Sequence, residues 1–520
     1  MGRKYGDRQR SFRASGLRWI RAEIRSLSPH FRVDHFCHRL LERAWYNRER
    51  GDTITWREYH LGTKHTPESL RRSRHFLDWA NMPNPFRHYA GTPVVDLAAD
   101  PRPPQISALD VLEGERGSDE SKNWMEFLSR LLFYSASISA SKRTPAGDRY
   151  ALRVNPSSGN LHPTEFHIAC PSGLYHYRVS SHMLEQRAAG DYGSLRFLLT
   201  TIAWREAWKY QSRAYRYCLH DLGHAWQSLA ATARAMGCEA EAAGNFEDDE
   251  VSRSFGLAED EWPMLLVEIH GAPEFPRARE REWFGGVPNQ LSTEVIRYPL
   301  IEEMQAATKK TIQLPGAVSQ ATTAMKRHHE GTSYGVIARR RRSALDFRGG
   351  SETIGLSQLL TLLDLATRPF NADFASERYI ELYLYVHRVR DLAPGVYKYL
   401  HDEPRLELIK SGDQRVAAAG LSLGQDLAGN SCVTFSMIGN LERAAQTHGD
   451  RGYRYVHFEA GGIGQRLYLA AESLGFQSTG IGAFFDQAVN EYLGIAPESG
   501  RQVVYHFACG YAVQDDRLSE

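Results

Sequence analysis

The chain is 520 residues long, 42% hydrophobic and 24% charged, with a formal net charge of +1. That length gives material for two to four domains and a sizeable core. The near-neutral charge argues against a general nucleic-acid or membrane-surface role, and no apolar run approaches the roughly 18 residues a membrane-spanning helix needs.

The first fifty residues carry thirteen Lys and Arg against five Asp and Glu, a local charge of +8. They read as a basic helical extension, residues 1–55, with an organelle leader as the alternative; the stretch has no apolar core of the secretory kind. Next comes Asn155-Pro156-Ser157-Ser158-Gly159-Asn160-Leu161-His162-Pro163-Thr164-Glu165. Such a segment either makes a surface turn or offers backbone amides and small polar side chains to a flat polar ligand. Phe166–Ala169 predicts a strand running into the hairpin-like Gly173-Leu174-Tyr175-His176-Tyr177. Cys218–Met236 has helical spacing and stops at Gly237, and Leu265–Ile269 predicts a closing strand. The six cysteines, Cys37, Cys170, Cys218, Cys238, Cys432 and Cys509, form no Cys-x-x-Cys pair and read as buried thiols in a reducing compartment. No metal-ligand constellation stands out.

The chain then repeats itself. Lys209-Tyr210-Gln211-Ser212-Arg213-Ala214-Tyr215-Arg216-Tyr217 is matched 238 positions later by Thr447-His448-Gly449-Asp450-Arg451-Gly452-Tyr453-Arg454-Tyr455. The same shift relates Gly237 to Gly475, Phe246 to Phe484, Asp248 to Asp486 and Gly256 to Gly494. Gly173–Tyr177 matches Gly395–Tyr399 at a shift of 222. The second copy predicts strands at Leu382–Val386 and Val503–Phe507 and a helix at Val456–Leu474. Each unit is therefore expected to be α+β: residues 56–272 and 336–520, joined by a connecting segment at 273–335. A fused repeat of this kind implies an intrachain pseudo-dimer, in which one of two equivalent interface sites is free to be lost.

These residues resemble the nitroreductase-like flavoproteins, and within them the SagB/ThcOx-type dehydrogenases, which include thiazoline and oxazoline oxidases of peptide natural-product pathways. The likeness spans about residues 56–520. It rests on Pro156–Asn160 with His162, Pro163 and Glu165, on Lys209–Tyr217, on Gly223-His224, on Arg341-Arg342-Ser343, and on Gly482-Ala483-Phe484-Phe485-Asp486. It implies two tandem nitroreductase-like domains with FMN held between them. On that resemblance Arg341, Arg342 and Ser343 bind the phosphate, Gly482 and Ala483 lie along the ring system, and Pro156, Ser157, Ser158 and Asn160 reach it from the first half.

The reciprocal site looks lost. Arg368-Pro369-Phe370-Asn371-Ala372-Asp373 stands where a second Pro-Ser-Ser-Gly-Asn belongs, and Glu115-Arg116-Gly117-Ser118-Asp119 stands near where an Arg-Arg-Ser belongs. Leu345 occupies a position where the family often has a second base, with Asp346 after it, so another cation such as Arg517 would have to compensate. Lys209 and Tyr210 fall where azoline oxidases carry a Lys-Tyr pair implicated in proton transfer, and Thr447-His448 replace them in the second half. Read without the resemblance, Lys209 is a surface lysine, Tyr210 a core or interface ring, His224 a satisfied core histidine, and Arg339–Arg342 a solvated basic patch. Tyr215 and Tyr217, mirrored by Tyr453 and Tyr455, read as packing at the seam.

The expected protein is a cytoplasmic FMN-dependent oxidoreductase acting on a small-molecule or peptide-derived substrate, with biosynthetic partner proteins and neither nucleic acid nor membrane. The expected reaction is dehydrogenation of an azoline-like heterocycle or an amino-acid-derived group. The alternatives are an NAD(P)H-dependent nitro or quinone reductase and a non-catalytic flavin- or peptide-binding scaffold.

Overall fold

Strand-forming runs of Val, Ile, Leu and Tyr build two sheets with one plan. The computed structural model describes residues 54–144, 147–309 and 331–519. The basic extension, apart from its last two residues, and the middle of the connecting segment lie outside them. A hairpin of β1 (Ile138–Arg143) and β2 (Arg149–Arg153) forms a small sheet with Leu518–Ser519. The first large sheet contains β3 (Thr164–Cys170), β4 (Gly173–Arg178), β5 (Met183–Ala189), β6 (Arg196–Thr201), β7 (Glu239–Ala243) and β8 (Trp262–His270), in the order β5-β4-β3-β6-β8-β7. Val94–Asp96 and Glu282–Trp283 both pair with β5.

The second sheet contains β9 (Ile380–Val386), β10 (Gly395–Leu400), β11 (Arg405–Ser411), β12 (Val433–Asn440), β13 (Gln477–Ile481) and β14 (Arg501–Gly510). Its order, β11-β10-β9-β12-β14-β13, repeats that of the first sheet strand for strand, and its pairings are antiparallel. Among the described residues no helix is long and apolar enough to cross a membrane. The described cysteines, Cys170, Cys218, Cys238, Cys432 and Cys509, are buried.

The helices that bear on the seam include α1 (Trp56–Gly62), α2 (Ala203–Tyr210), α3 (Ala214–Ala235), α4 (Asp248–Phe255), α5 (Pro299–Thr308), α6 (Tyr334–Arg340) and α7 (Leu441–His448). With them go α8 (Gly452–Ser473) and α9 (Asp486–Tyr492) of the second half. The shift of 238 found in the sequence carries α2 onto α7 and α3 onto α8 end for end. The central helices begin four residues before the expected starts at Cys218 and Val456. Tyr215, Arg216 and Tyr217 were read as motif rather than helix, but the first turn buries them all.

Helices α3 and α8 cross backbone to backbone. A Cβ on Gly223 would lie 2.4 Å from the Phe458 carbonyl oxygen, and one on its counterpart Gly461 would lie 2.2 Å from the His220 carbonyl oxygen. No side chain fits there, so glycine at both positions is what permits the crossing.

Buried ion pairs run across the seam in both directions. Arg213 and Arg216 of the first half reach Asp486 of the second at 2.9 and 2.7 Å. Their counterparts, Arg451 and Arg454, bind Asp248 of the first half, the latter at 2.8 Å. The spare guanidinium hydrogens go to Thr63 after α1 in one bracket and to Thr308 of α5 in the other. Helix α5, within the segment read as a connector, thus serves the second half as α1 serves the first.

Burial alone would raise the Asp486 carboxyl, but Arg213 and Arg216, with the His65 N–H, hold it down at about 2. This bracket contributes its full stability above the ordinary aspartate range of about 4, and the contribution fades as pH falls through about 2. Asp486→Asn strands two buried guanidinium groups and should cost about 3–5 kcal/mol. Denaturant titration at neutral pH checks this; a midpoint equal to that of the parent would show the bracket to be dispensable.

Candidate functional site

Asn155–Pro163 joins β2 to β3 through three left-handed residues, Gly159 (φ 60°), Asn160 (φ 61°) and His162 (φ 51°). Glycine and asparagine tolerate that region, which is how so tight a loop forms. A Cβ at Gly159 would sit 2.8 Å from the Tyr210 hydroxyl and 3.0 Å from Lys209 Nζ, so the end of α2 is pressed against the loop. Side chains fasten it. The Ser158 N–H (3.0 Å) and Oγ (2.9 Å) donate to Asp221 on α3, Asn160 Nδ2 donates to the Ala151 carbonyl, and Ser157 Oγ accepts from the His162 N–H at 2.7 Å.

The facing wall comes from the second half. Helix α6 ends at Arg340, and Arg341 enters the core, where Nε donates to the Val154 carbonyl (3.0 Å) and Nη2 to that of Arg153 (3.2 Å). Its Nη1 is buried without a hydrogen-bond partner among the described residues. Burial pulls the pKa of this guanidinium down against the opposing pull of Tyr468 and Glu472, and among the described residues no carboxylate forms an ion pair with it. Arg342 is turned to Ser139, and Ser343 Oγ shares a hydrogen bond with the Tyr468 hydroxyl (2.8 Å). Tyr217 OH donates to the Gly482 carbonyl at 2.9 Å. The N–H groups of Gly482 and Ala483 have no partner in the hydrogen-bond network of the described residues.

Between these walls lies a cavity of about 390 Å³. Pro156, Ser157, Ser158, Asn160, Arg341, Arg342, Ser343, Gly482 and Ala483 all line it, and so does Tyr210. Lys209 stands behind the loop, half-buried; burial lowers its pKa, opposed by Glu206 one turn back, and burial raises the Tyr210 phenol. His224 lines the cavity as a neutral residue between Gln465 (3.3 Å) and Tyr505 (3.2 Å), burial having lowered its pKa to about 3.

Several lining residues were not singled out from sequence. Lys142 on β1 reaches the cavity while paired with Asp515 at 2.8 Å, and Arg517 is turned to the same Asp515, so Lys142 takes the place expected of Arg517. Asp346 accepts from Asn430 and its own neighbouring amide, at a remove from Arg341. Asp221 had a usable signal in its counterpart Glu459. Tyr468 and Tyr505 had none beyond their aromatic character.

At the reciprocal place the backbone amides are occupied. Ser107 and Ser333 pair with each other, with Ala108 and Tyr334 bonded symmetrically; counted onward from that bridge, Glu115, Arg116 and Gly117 hold the sequence positions that Arg341, Arg342 and Ser343 hold in the second half. The amides of Gly244 and Asn245, counterparts of Gly482 and Ala483, donate to Asp373 at 2.8 and 3.1 Å. Phe374 stacks on Tyr455 at 4.4 Å, and Arg466 covers Phe370 at 3.9 Å. A larger cavity of about 740 Å³ lies beside Glu459 in the second half, but its charges pair with near neighbours, as in Lys398–Glu381 and Arg443–Glu377. Among the described residues no group of three or more His, Cys, Asp or Glu side chains is placed to hold a metal ion.

A seam cleft with an unpartnered buried guanidinium edge and two open backbone amides defines a receptor for a flat, polar, phosphorylated ligand. Residues 339–511, in the second half, match the nitroreductase family. Over 89% of its length, and 100% of the other, the chain superposes on a crystal structure from Anabaena variabilis, provisionally named a nitroreductase, at TM-score 0.71 and 25% identity. A Methanocaldococcus jannaschii protein, also provisionally named a nitroreductase, is 36% identical over 118 residues, which is 22% of this chain. The chain spans 59% of that relative's length. A nitroreductase-family domain indicates oxidoreductase chemistry on FMN, and the donor set fits that cofactor. Arg341 Nη1 and Ser343 suit its phosphate, and the open amides suit its ring carbonyls. Arg341→Gln should weaken FMN binding at least tenfold, read as loss of flavin fluorescence quenching, whereas Arg116→Gln, at the position matching Arg342 on the other side of the seam, should leave it unchanged.

Proposed function

We propose that the chain is an FMN-dependent oxidoreductase of SagB/ThcOx type, built from two tandem nitroreductase-like domains at residues 56–272 and 336–520 and holding one flavin per chain. The observation that carries this is the asymmetry of the seam. On one side the amides of Gly482 and Ala483 are open beside the unpartnered Arg341 Nη1. On the other, Asp373 occupies the equivalent amides and Glu115 replaces the arginine. Pro156, Ser157, Ser158 and Asn160 bear on the ring from the first half; Arg341, Arg342 and Ser343 hold the phosphate from the second.

Bound FMN supplies a two-electron acceptor, and the protein supplies orientation and proton handling. Dehydrogenation removes a proton and a hydride from adjacent substrate atoms. Lys209, in its free-amine form, takes the proton, and Tyr210 fixes the edge of the cavity beside it. Lys209, Tyr210 and the open cleft occur in the same half-to-half arrangement, and all are missing on the other side, where Thr447 and His448 stand. This supports an azoline-like or amino-acid-derived substrate, with biosynthetic partner proteins presenting it in a cytoplasmic pathway. The names of both relatives favour a second reading, reduction of a nitro compound or quinone by NAD(P)H.

Flavin absorbance on protein saturated with FMN should count about one flavin per chain; two per chain would overturn the single site. Lys209→Ala should keep its flavin while losing about 100-fold or more in the rate at which a thiazoline bleaches it. Steady NAD(P)H-driven nitro reduction without any bleaching by thiazolines would select the second reading.

A further inference from the structure

Behind the Pro156–Asn160 loop two buried carboxyls meet, and they decide what Lys209 can do. Glu206 on α2 is fully buried, and Asp221 on α3 nearly so, at 2% exposure. Their side chains are in hydrogen-bond contact. Asp221 accepts from two donors of Ser158, the N–H shared between both carboxylate oxygens and Oγ. Glu206 accepts a single long one from Ser157 Oγ at 3.5 Å, and its Oε2 has no donor at all among the described residues.

Two touching carboxyls out of water cannot both be charged. The donors around Asp221 stabilise a carboxylate there, and the bare Oε2 of Glu206 cannot be satisfied unless it carries the proton itself. Arg205, next in the chain, is spent on Glu165 and the carbonyls of Asn84 and His162. The other titratable groups facing the pair are Lys209 and Tyr210 on α2, Tyr217 and Cys218 on α3, and Tyr505 on β14. Lys209 is the cation among them, three residues along α2 from Glu206 and so on the same face.

We propose that Asp221 keeps the proton on Glu206 and thereby denies Lys209 a counter-ion, making Glu206 and Asp221 a positioning pair for the base. This rests on the base role assigned to Lys209 above. An ionised Glu206 would hold the lysine as an ammonium; a neutral one leaves only burial, which favours the free amine. The second half serves as an internal control. There Ala444 replaces Glu206 and Thr447 replaces Lys209, while Glu459, at the place of Asp221, accepts the amides of Tyr379 and Ile380. Carboxyl pair and lysine are lost together.

The test is the titration of the Lys209 amine in the flavin-loaded full chain, measured by trace acetylation across pH and mass spectrometry of the Lys209 peptide. Glu206→Gln, a neutral stand-in, should leave the midpoint where it is. Asp221→Asn frees Glu206 to ionise and should move the midpoint up by about one to two pH units, and the double variant should bring it back. The rate depends on the neutral amine, so its rising limb with pH should move the same way. A midpoint that falls in Glu206→Gln would show that Glu206 was the charged partner, and one unmoved in Asp221→Asn would show no coupling; either overturns the proposal. Activity that survives Lys209→Ala would count against the base role while leaving the measured coupling intact.

Discussion

The close approach of α3 and α8 at Gly223 and Gly461 is the constraint on which the rest depends. Two 22-residue helices can lie this near only because neither has a side chain at the crossing. The approach brings Arg213 and Arg216 within reach of Asp486, and Arg451 and Arg454 within reach of Asp248. Each half therefore holds the other half's arginines. Splitting the chain would leave four buried guanidinium groups without carboxylates, a cost of several kcal/mol for each bracket, so the halves are one cooperative unit rather than two beads on a linker.

The same crossing creates two equivalent clefts, and side chains alone decide their different fates. In one, Arg341 faces the cleft with an unused N–H. In the other, Glu115 stands in its place, Asp373 closes the backbone amides, and Phe370 and Phe374 pack under Trp226 and Tyr455. Phe370, Phe374 and Glu459 also border the 740 Å³ cavity, so the packing there closes the amides and not the whole of that side. On the reading proposed here this side has given up its ligand, a divergence that a fused chain can make and a symmetric dimer cannot.

Much of this was legible in the sequence because repetition acts as its own alignment. The shift of 238 located both long helices and the Arg213/Arg451 and Asp248/Asp486 pairs, and the loss of Ser157-Ser158 from the second copy pointed to one cleft. Other features were not legible for definite reasons. The pairing of Glu115 with Arg341 rests on the backbone register of Ser107 with Ser333, where the residues themselves have no likeness. Helix α5 follows a different shift from the central helices and so read as a connector. Glu206 and Asp221 sit within helices, where an acid normally marks a solvated face; only the tertiary fold shows both without water. Lys142 lies on a hairpin for which no strand was expected.

On the reading proposed here, the division of work between the halves also accounts for where the family likeness falls. The match begins at residue 339, two positions before Arg341, and runs through Gly482 and Ala483, so it covers the residues that face phosphate and ring. Their partner is the same in every member of a flavin-binding family, and their geometry has little room to change. The first half contributes the loop, which also bears on the ring, together with Lys209, Tyr210 and the Glu206–Asp221 pair, whose partner is the substrate and its proton. Those residues answer to a chemistry that differs from one enzyme to the next. On that reading, a chain that keeps one cleft can hold the cofactor largely with one half and fit the other to its reaction, and the 390 Å³ cavity takes its walls from both halves.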